Sequence, residues 1–319
     1  MMLDTVIGNA QTLRDLQGAL KNGCLLHSIL LCGEPGTGAG YVARCLAADY
    51  LYPENTGGIP QSGGAPSPAN VGASQVMANE SPEYLCMEGE GVSGDIRIDA
   101  VREVRRQVFH TALSARGRVV HVAGAEHLNA SSANALLKVL EEPPEGVLFL
   151  LTAPGDAAVL PTLRSRCACY TLAPVSQEQC VQYLLHRFSA VPDIARRAPE
   201  YAALFGGKIG SCVNCLTDAG MRARLDSAKQ LADAVQAQDT YLALHTMAGY
   251  EKDRAQARGF LALLREVCAA ALRGAYPVPD ADKAARAINA VRTADTQLAG
   301  NGSTKLVLTC LAARLTAGA

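Results

Sequence analysis

The sequence predicts an α/β domain built on a parallel sheet, followed by a small helical domain and an all-helical C-terminal domain. Three observations lead there. Short apolar runs alternate with helix-patterned stretches through the first half, the rhythm of strand–helix–strand units. The first run leads into a glycine-rich turn, Gly33-Glu34-Pro35-Gly36-Thr37-Gly38-Ala39-Gly40. After about residue 173 the apolar runs stop and helical spacing takes over. The 319 residues leave room for two or three domains, and 49% apolar with 18% charged residues suits a folded core rather than a disordered chain.

In chain order the predicted strands are Ser28–Cys32, Tyr84–Met87, Val119–Val122, Val147–Thr152 and Cys169–Leu172, each a short apolar run. Helices are predicted near 11–21, 40–51, 99–113 and 131–141. Arg116-Gly117-Arg118 reads as the turn into the third strand, and Pro143-Pro144 must end the fourth helix because proline has no N–H to donate. From Pro53 to Pro82 the chain is Gly, Pro, Ser and Asn with little apolar pattern, so 53–82 is expected to be a mobile surface loop. Ser176–Phe188 and Pro192–Phe205 read as short helices closed by Gly206-Gly207. Beyond them four stripes repeat at helical spacing and are expected to be core: Leu225, Ala228, Leu231 and Val235; Phe260, Leu263, Leu264 and Val267; Ile288 and Val291; Leu308, Leu311 and Leu315. The expected domains are 1–172, 173–217 and 218–319.

Lys and Arg number 29 against 30 Asp and Glu, so the bulk charge implies neither a nucleic-acid nor a membrane surface, and any such patch must be local. No apolar run reaches the roughly 18 residues of a membrane helix. The opening Met1–Leu20 carries Asp4, Gln11, Arg14 and Asp15 too regularly for a signal peptide. Eleven cysteines scattered singly make a poor disulfide framework. A reduced, soluble, cytoplasmic protein without a membrane partner is expected. Cys212-Val213-Asn214-Cys215 is the only C-x-x-C, with no second pair or nearby histidine to complete a four-ligand zinc site, so no metal is expected. Cys167 and Cys169 read as strand or strand-end core, and His121 and His127, six residues apart with no acidic partner between the motifs, as two unrelated histidines.

The glycine-rich turn sits where a phosphate-binding loop would, after a strand and opening a helix. That loop calls for G-x-x-x-x-G-K-[ST]. Gly33 and Gly38 are in place, but Ala39 stands where the lysine belongs and Gly40 where the hydroxyl belongs. Gly33, Gly36, Gly38, Ala39 and Gly40 therefore form a degenerate loop, able to present backbone N–H groups to an anion but expected to be empty. The third strand repeats the loss. Active enzymes of this type end it in an Asp for Mg²⁺ followed by a Glu that activates water, whereas this chain has Ala123 and Gly124, with Glu126 two residues further on. Four losses at two motifs argue that the chain does not hydrolyse ATP itself.

Asn134-Ala135-Leu136-Leu137-Lys138-Val139-Leu140-Glu141-Glu142-Pro143-Pro144, followed by Leu163-Arg164-Ser165-Arg166-Cys167, resembles the bacterial DNA polymerase III clamp-loader subunits of the AAA+ class. Leu26-His27-Ser28, Ile98-Asp99 with Arg102, and Asn301–Leu315 extend the resemblance over nearly the whole chain, with 53–82 the weakest stretch. Within that family the tau/gamma subunits keep the lysine, the hydroxyl and the acidic pair. The delta-prime subunits tolerate a degenerate ATP site while keeping the SRC motif, and the pattern here is similar to theirs. Many members carry a four-cysteine zinc module after the first phosphate-loop helix, but this chain has no cysteine between Cys45 and Cys86. The resemblance implies an AAA+ domain, a helical lid and a helical collar.

It also implies that Arg166, flanked by Ser165 and Cys167, reaches in trans into a neighbouring subunit's ATP site. A permanently charged, planar guanidinium suits charge growing on a γ-phosphate. No cofactor of the chain's own is implied; ATP and Mg²⁺ belong to the neighbour. The implied partners are tau/gamma and delta subunits, the sliding clamp and, through the complex, primed DNA. Arg97, Arg102, Arg105, Arg106, Arg116 and Arg118 form a dense basic cluster. A solvated helix face is one reading of it; phosphate contact, with Arg102, Arg105 and Arg106 as candidates, is the other. The rival functions are an autonomous P-loop ATPase or tau/gamma-like motor with an atypical site, and a pure scaffold in which Arg166 is idle.

Overall fold

Five apolar runs become one parallel sheet: β1 (Ser28–Cys32), β2 (Tyr84–Glu88), β3 (Arg118–Ala123), β4 (Val147–Ala153) and β5 (Ala168–Thr171), in the order β2-β3-β4-β1-β5. The computed structural model describes residues 1–55, 68–89, 94–109, 116–276, 281–300 and 302–316. They gather into two compact units, Met1–Val175 and Ser176–Ala319.

In the first unit β1 and β4 are buried along their whole length, as strands covered on both faces must be. Ser28 stands opposite Phe149 and Ile29 opposite Ala168, which fixes the level of β4 and β5 against β1. Alternate strand residues feed two cores. On one face Ile29, Leu31, Leu148 and Leu150 meet α1 (Ala10–Lys21), α2 (Ala39–Leu51) and α3 (Pro68–Met77) through Leu16, Leu46 and Val76. On the other, Leu30, Val120, Phe149 and Leu151 meet α4 (Ile98–Val108), α5 (Ala130–Glu141) and α6 (Pro161–Arg164) through Val101, Leu136, Leu140 and Leu163. The buried Asp49 on α2 accepts the Met2 and Leu3 backbone N–H groups at 2.6 and 2.9 Å, pinning the N-terminal turn to the first face.

Three expectations are corrected here. Residues 68–77 of the expected mobile loop are the helix α3, because Ala73 and Val76, three residues apart, are buried against the first core. Gly72 lets the Tyr52 ring lie against it, since a Cβ there would stand 2.3 Å from the ring. Residues 56–67 of that loop, and 110–113 of the predicted 99–113 helix, lie outside the described residues. Cys169 is exposed rather than core: β5 is an edge strand whose residues alternate between half-buried and exposed. Arg118 is not part of a surface cluster. Its side chain is nearly buried, donates to Glu83 at 2.8 Å and to the Gln107 carbonyl, and closes β3 against α4. The turn before it depends on Gly117, at φ +95, where a Cβ would meet the Gly146 carbonyl oxygen at 1.9 Å.

The second unit is all helix: α7 (Gln177–Arg187), α8 (Ile194–Leu204), α9 (Ile209–Thr217), α10 (Ala219–Gln236), α11 (Thr240–Ala248), α12 (Arg254–Leu272), α13 (Ala281–Ala299) and α14 (Thr304–Thr316). Acceptor side chains start them: Ser176, Asp218, Asp239 and Asp253 cap α7, α10, α11 and α12. The expected stripes are core, except that Val235, Ile288 and Leu315 are only half-buried. Cys212 and Cys215 are buried one turn apart on α9, Cys212 lying 3.8 Å from Cys180 on α7. Among the described residues no helix is long and apolar enough to cross a membrane.

Candidate functional site

Residues expected to handle phosphate lie at both edges of the first unit's sheet. At the C-terminal edge, where open α/β sheets bind their ligands, β1 runs into the degenerate loop. Its Gly33 N–H donates to the Ala153 carbonyl at 2.9 Å. The loop then closes on itself: the Thr37 N–H and hydroxyl both donate to the Glu34 carbonyl, at 3.0 and 2.8 Å. Gly36 and Gly38 take φ +90 and +102, a left-handed backbone that glycine adopts without strain. A Cβ on Gly33 would meet the Thr37 hydroxyl oxygen at 2.4 Å. Gly38 caps α2, and Ala39 begins that helix with its methyl group buried. Around Gly40 there is open space where a Thr or Ser side chain would stand. The turn has neither a cation nor a hydroxyl at the first two positions of the helix.

Ala123 ends β3 opposite Thr152 on β4, and Gly124 follows at φ +84. Neither supplies a carboxylate. Glu126 lies 3.6 Å from His127 through one oxygen, and its other oxygen is buried without a partner. His127 thus has an acidic neighbour in the adjacent Glu126. These residues do not fit an Mg²⁺–nucleotide: the loop has no lysine, and β3 offers no acidic ligand at its end. Among the described residues no group of three or more His, Cys, Asp or Glu is gathered closely enough to hold a metal ion.

Below this tip runs a buried hydrogen-bond chain that sequence reasoning missed. The Tyr84 hydroxyl lies 2.6 Å from His121 Nδ1, His121 Nε2 lies 3.4 Å from the Thr152 hydroxyl, and Thr152 Oγ1 accepts the Gly124 N–H at 3.3 Å. Burial, helped by the nearby Arg44 guanidinium, pushes the His121 imidazole down to about 4, so it is neutral at pH 7. Its partners come from β2 and β4, so no local spacing announces them.

The SRC turn is at the other edge. α6 ends at Arg164, and Ser165, Arg166 and Cys167 lead into β5, whose Ala168 stands beside Ile29 near the start of β1. The end of α5 is at this same edge, since His27 Nε2 lies 3.3 Å from the Leu140 carbonyl oxygen. From Ser28 to Gly33 a strand advances roughly 17 Å, so Arg166 and the chain's own phosphate loop are separated by about the height of the sheet. The Arg166 side chain donates to Glu141, the last residue of α5, and to the Thr162 carbonyl at 3.0 Å, with the Ser165 hydroxyl 3.5 Å away. Arg164 pairs with Asp156 at 3.0 Å. Cys167 is half-buried, and burial together with Cys169 and Cys32 pushes its thiol up to about 12, leaving it a packing residue rather than a nucleophile. On α4, Arg102, Arg105 and Arg106 share an exposed face; Arg102 pairs with Asp99 at 3.3 Å and Arg106 with Glu103 at 2.8 Å.

A glycine-rich turn with Ala39 and Gly40 at its helix start and an exposed Ser165-Arg166-Cys167 turn on the far edge thus lie within one stretch of sequence. A family model described as "DNA polymerase III, delta subunit" matches that stretch, residues 8–176. The chain belongs to this family. Among delta-family relatives, DNA polymerase III subunit delta-prime of Escherichia coli is 30% identical over 215 residues, covering 67% of this chain and 62% of the relative. The subunit delta-prime of Pseudomonas aeruginosa is 33% identical over 182 residues, 57% of this chain and 53% of the relative. The chain thus spans between half and two thirds of the length of these delta-prime relatives. A crystal structure of a DNA polymerase III gamma subunit-related protein from Thermotoga maritima shares the fold at 16% identity, with a TM-score of 0.51 over 95% of this chain and 98% of that one. The expected fold class, an α/β domain on a parallel sheet with helices after it, holds for this delta-family chain.

Proposed function

We propose that this chain is a non-catalytic, delta-prime-like subunit of a DNA polymerase III clamp loader. It presents Arg166 in trans to the ATP site of a neighbouring tau/gamma-type subunit while the sliding clamp is loaded onto primed DNA in the cytoplasm. The observation that carries this reading is the separation of the two edges. Arg166 stands about a sheet's height from the chain's own loop, so the only γ-phosphate it can serve is another subunit's. Chemically its part is electrostatic. A fixed guanidinium stabilises charge developing on the transferred phosphoryl oxygens, and ATP and Mg²⁺ are held by the neighbour. Ser165 and Thr162 shape the turn that carries the arginine. The loop Gly33–Gly40 stays without nucleotide, because Ala39, Gly40, Ala123 and Gly124 supply neither the cation nor the Mg²⁺ ligands.

In this reading α7–α9 form the lid and α10–α14 the collar that joins tau/gamma and delta. Arg102, Arg105 and Arg106 face DNA phosphates inside the assembly. The test is ATP turnover by the purified chain, alone and added to tau/gamma and delta subunits with clamp and primed DNA. No Mg²⁺-dependent turnover alone and a clear rise on addition are expected. Turnover by the chain alone would instead make it a motor.

A further inference from the structure

The α5–α6 corner holds a residue that no motif of the ATP site includes. Glu141 closes α5, and its carboxylate pairs with the Arg166 guanidinium across a sequence separation of 25 residues. The Thr162 carbonyl takes a second N–H of the same group, so both terminal nitrogens are engaged. The last turn of α5 adds the negative end of a helix dipole at the same corner. Both partners are partly open to water, at 37% and 49% side-chain exposure, so the pair is weak and exchangeable rather than a buried lock.

Resting on the trans reading above, we propose that Glu141 is the positioning residue of Arg166. It holds the side chain in one rotamer at the subunit surface until a neighbour's phosphate replaces it. A free arginine loses much rotamer freedom when it docks, whereas one already held at the corner loses little. A single carboxylate at a wet surface yields to a multiply charged phosphate, because phosphate accepts the planar fork at two oxygens. A more deeply buried pair would not release the arginine; an unpaired arginine would arrive unordered. No covalent step is involved. Arg164 and Asp156 are arranged the same way at the other end of the turn, which keeps the unassembled surface from carrying two uncompensated cations.

The test is a double-variant cycle on ATP turnover in the assembled loader, with Glu141→Ala, Arg166→Ala and both. Glu141→Ala is expected to lower turnover by about three- to tenfold in the wild-type background and to change nothing further in the Arg166→Ala background, with Glu141→Asp recovering part of the loss. An equal loss in both backgrounds would show a structural role and overturn the proposal. So would an unchanged Glu141→Ala assembly in which Arg166→Ala is impaired. If Arg166→Ala itself has no effect, the trans reading fails first and this inference with it. Nitrogen-15 spectra of the arginine side chains in the isolated chain separate these cases. Glu141→Gln is expected to speed rotation of the Arg166 guanidinium, and an unchanged signal would mean that the pair holds nothing.

Discussion

His121 and Arg166 can both carry a positive charge, and the fold places them oppositely. His121 is buried between Tyr84 and Thr152 with its imidazole pushed down from 6.5 to about 4, while Arg166 lies at the surface paired with the Glu141 carboxylate. The folded imidazole resists protonation, so between pH 6.5 and about 4 the unfolded chain binds more protons than the folded one. Stability therefore falls as pH drops through that window, by up to about 3 kcal/mol for this group at its lower end. Denaturant melts at pH 7 and pH 4.5 should show His121→Gln flattening this decline. An undiminished decline would assign it to other groups.

At the scale of elements, buried acceptors anchor what the apolar pattern leaves open. Removing Asp49 with Asp49→Ala strands the Met2 and Leu3 N–H groups beneath the first core and should cost about 2–4 kcal/mol, read as a fall in the denaturation midpoint. A cost below about 1 kcal/mol would mean that water replaces the carboxylate. The sheet was legible in the sequence: all five strands lie within a residue or so of the runs that announce them, most plainly β1 and β4, which are buried on both faces and so continuously apolar. The helix α3 was not. Its buried positions, Ala73 and Val76, are small and set among Gly, Pro, Ser and Asn, so composition concealed the spacing. Cys169 misled for the opposite reason, since an edge strand keeps the apolar look of its neighbours while half its residues face water. The loop and the SRC turn were legible because each is a contiguous motif. Glu141 was visible as part of the helix motif, but its pairing with Arg166 joins the ends of two different helices, and only the folded corner brings them together.

At the scale of the whole molecule, phosphate chemistry is divided between subunits in the proposed reading. The sheet's C-terminal edge carries a glycine turn with Ala39 and Gly40 at the helix start, and its N-terminal edge carries Arg166 paired with Glu141. The basic face of α4 belongs to this scale too, since three arginines partly balanced by Asp99 and Glu103 make a modest patch that matters only against a polyanion. Neutralising Arg102 and Arg105 in the assembled loader should make the dependence of log affinity on log salt for primed DNA shallower by up to about 2. An unchanged slope would leave α4 as a solvated face. The division of labour itself is tested most directly by DNA- and clamp-stimulated ATP turnover in an assembly carrying Arg166→Ala, with assembly checked independently. The expected result is a loss of about tenfold or more, a barrier contribution of at least about 1.4 kcal/mol made across a subunit boundary. Turnover equal to wild type, in an assembly that fails when the chain is omitted, would contradict it and leave the protein a scaffold.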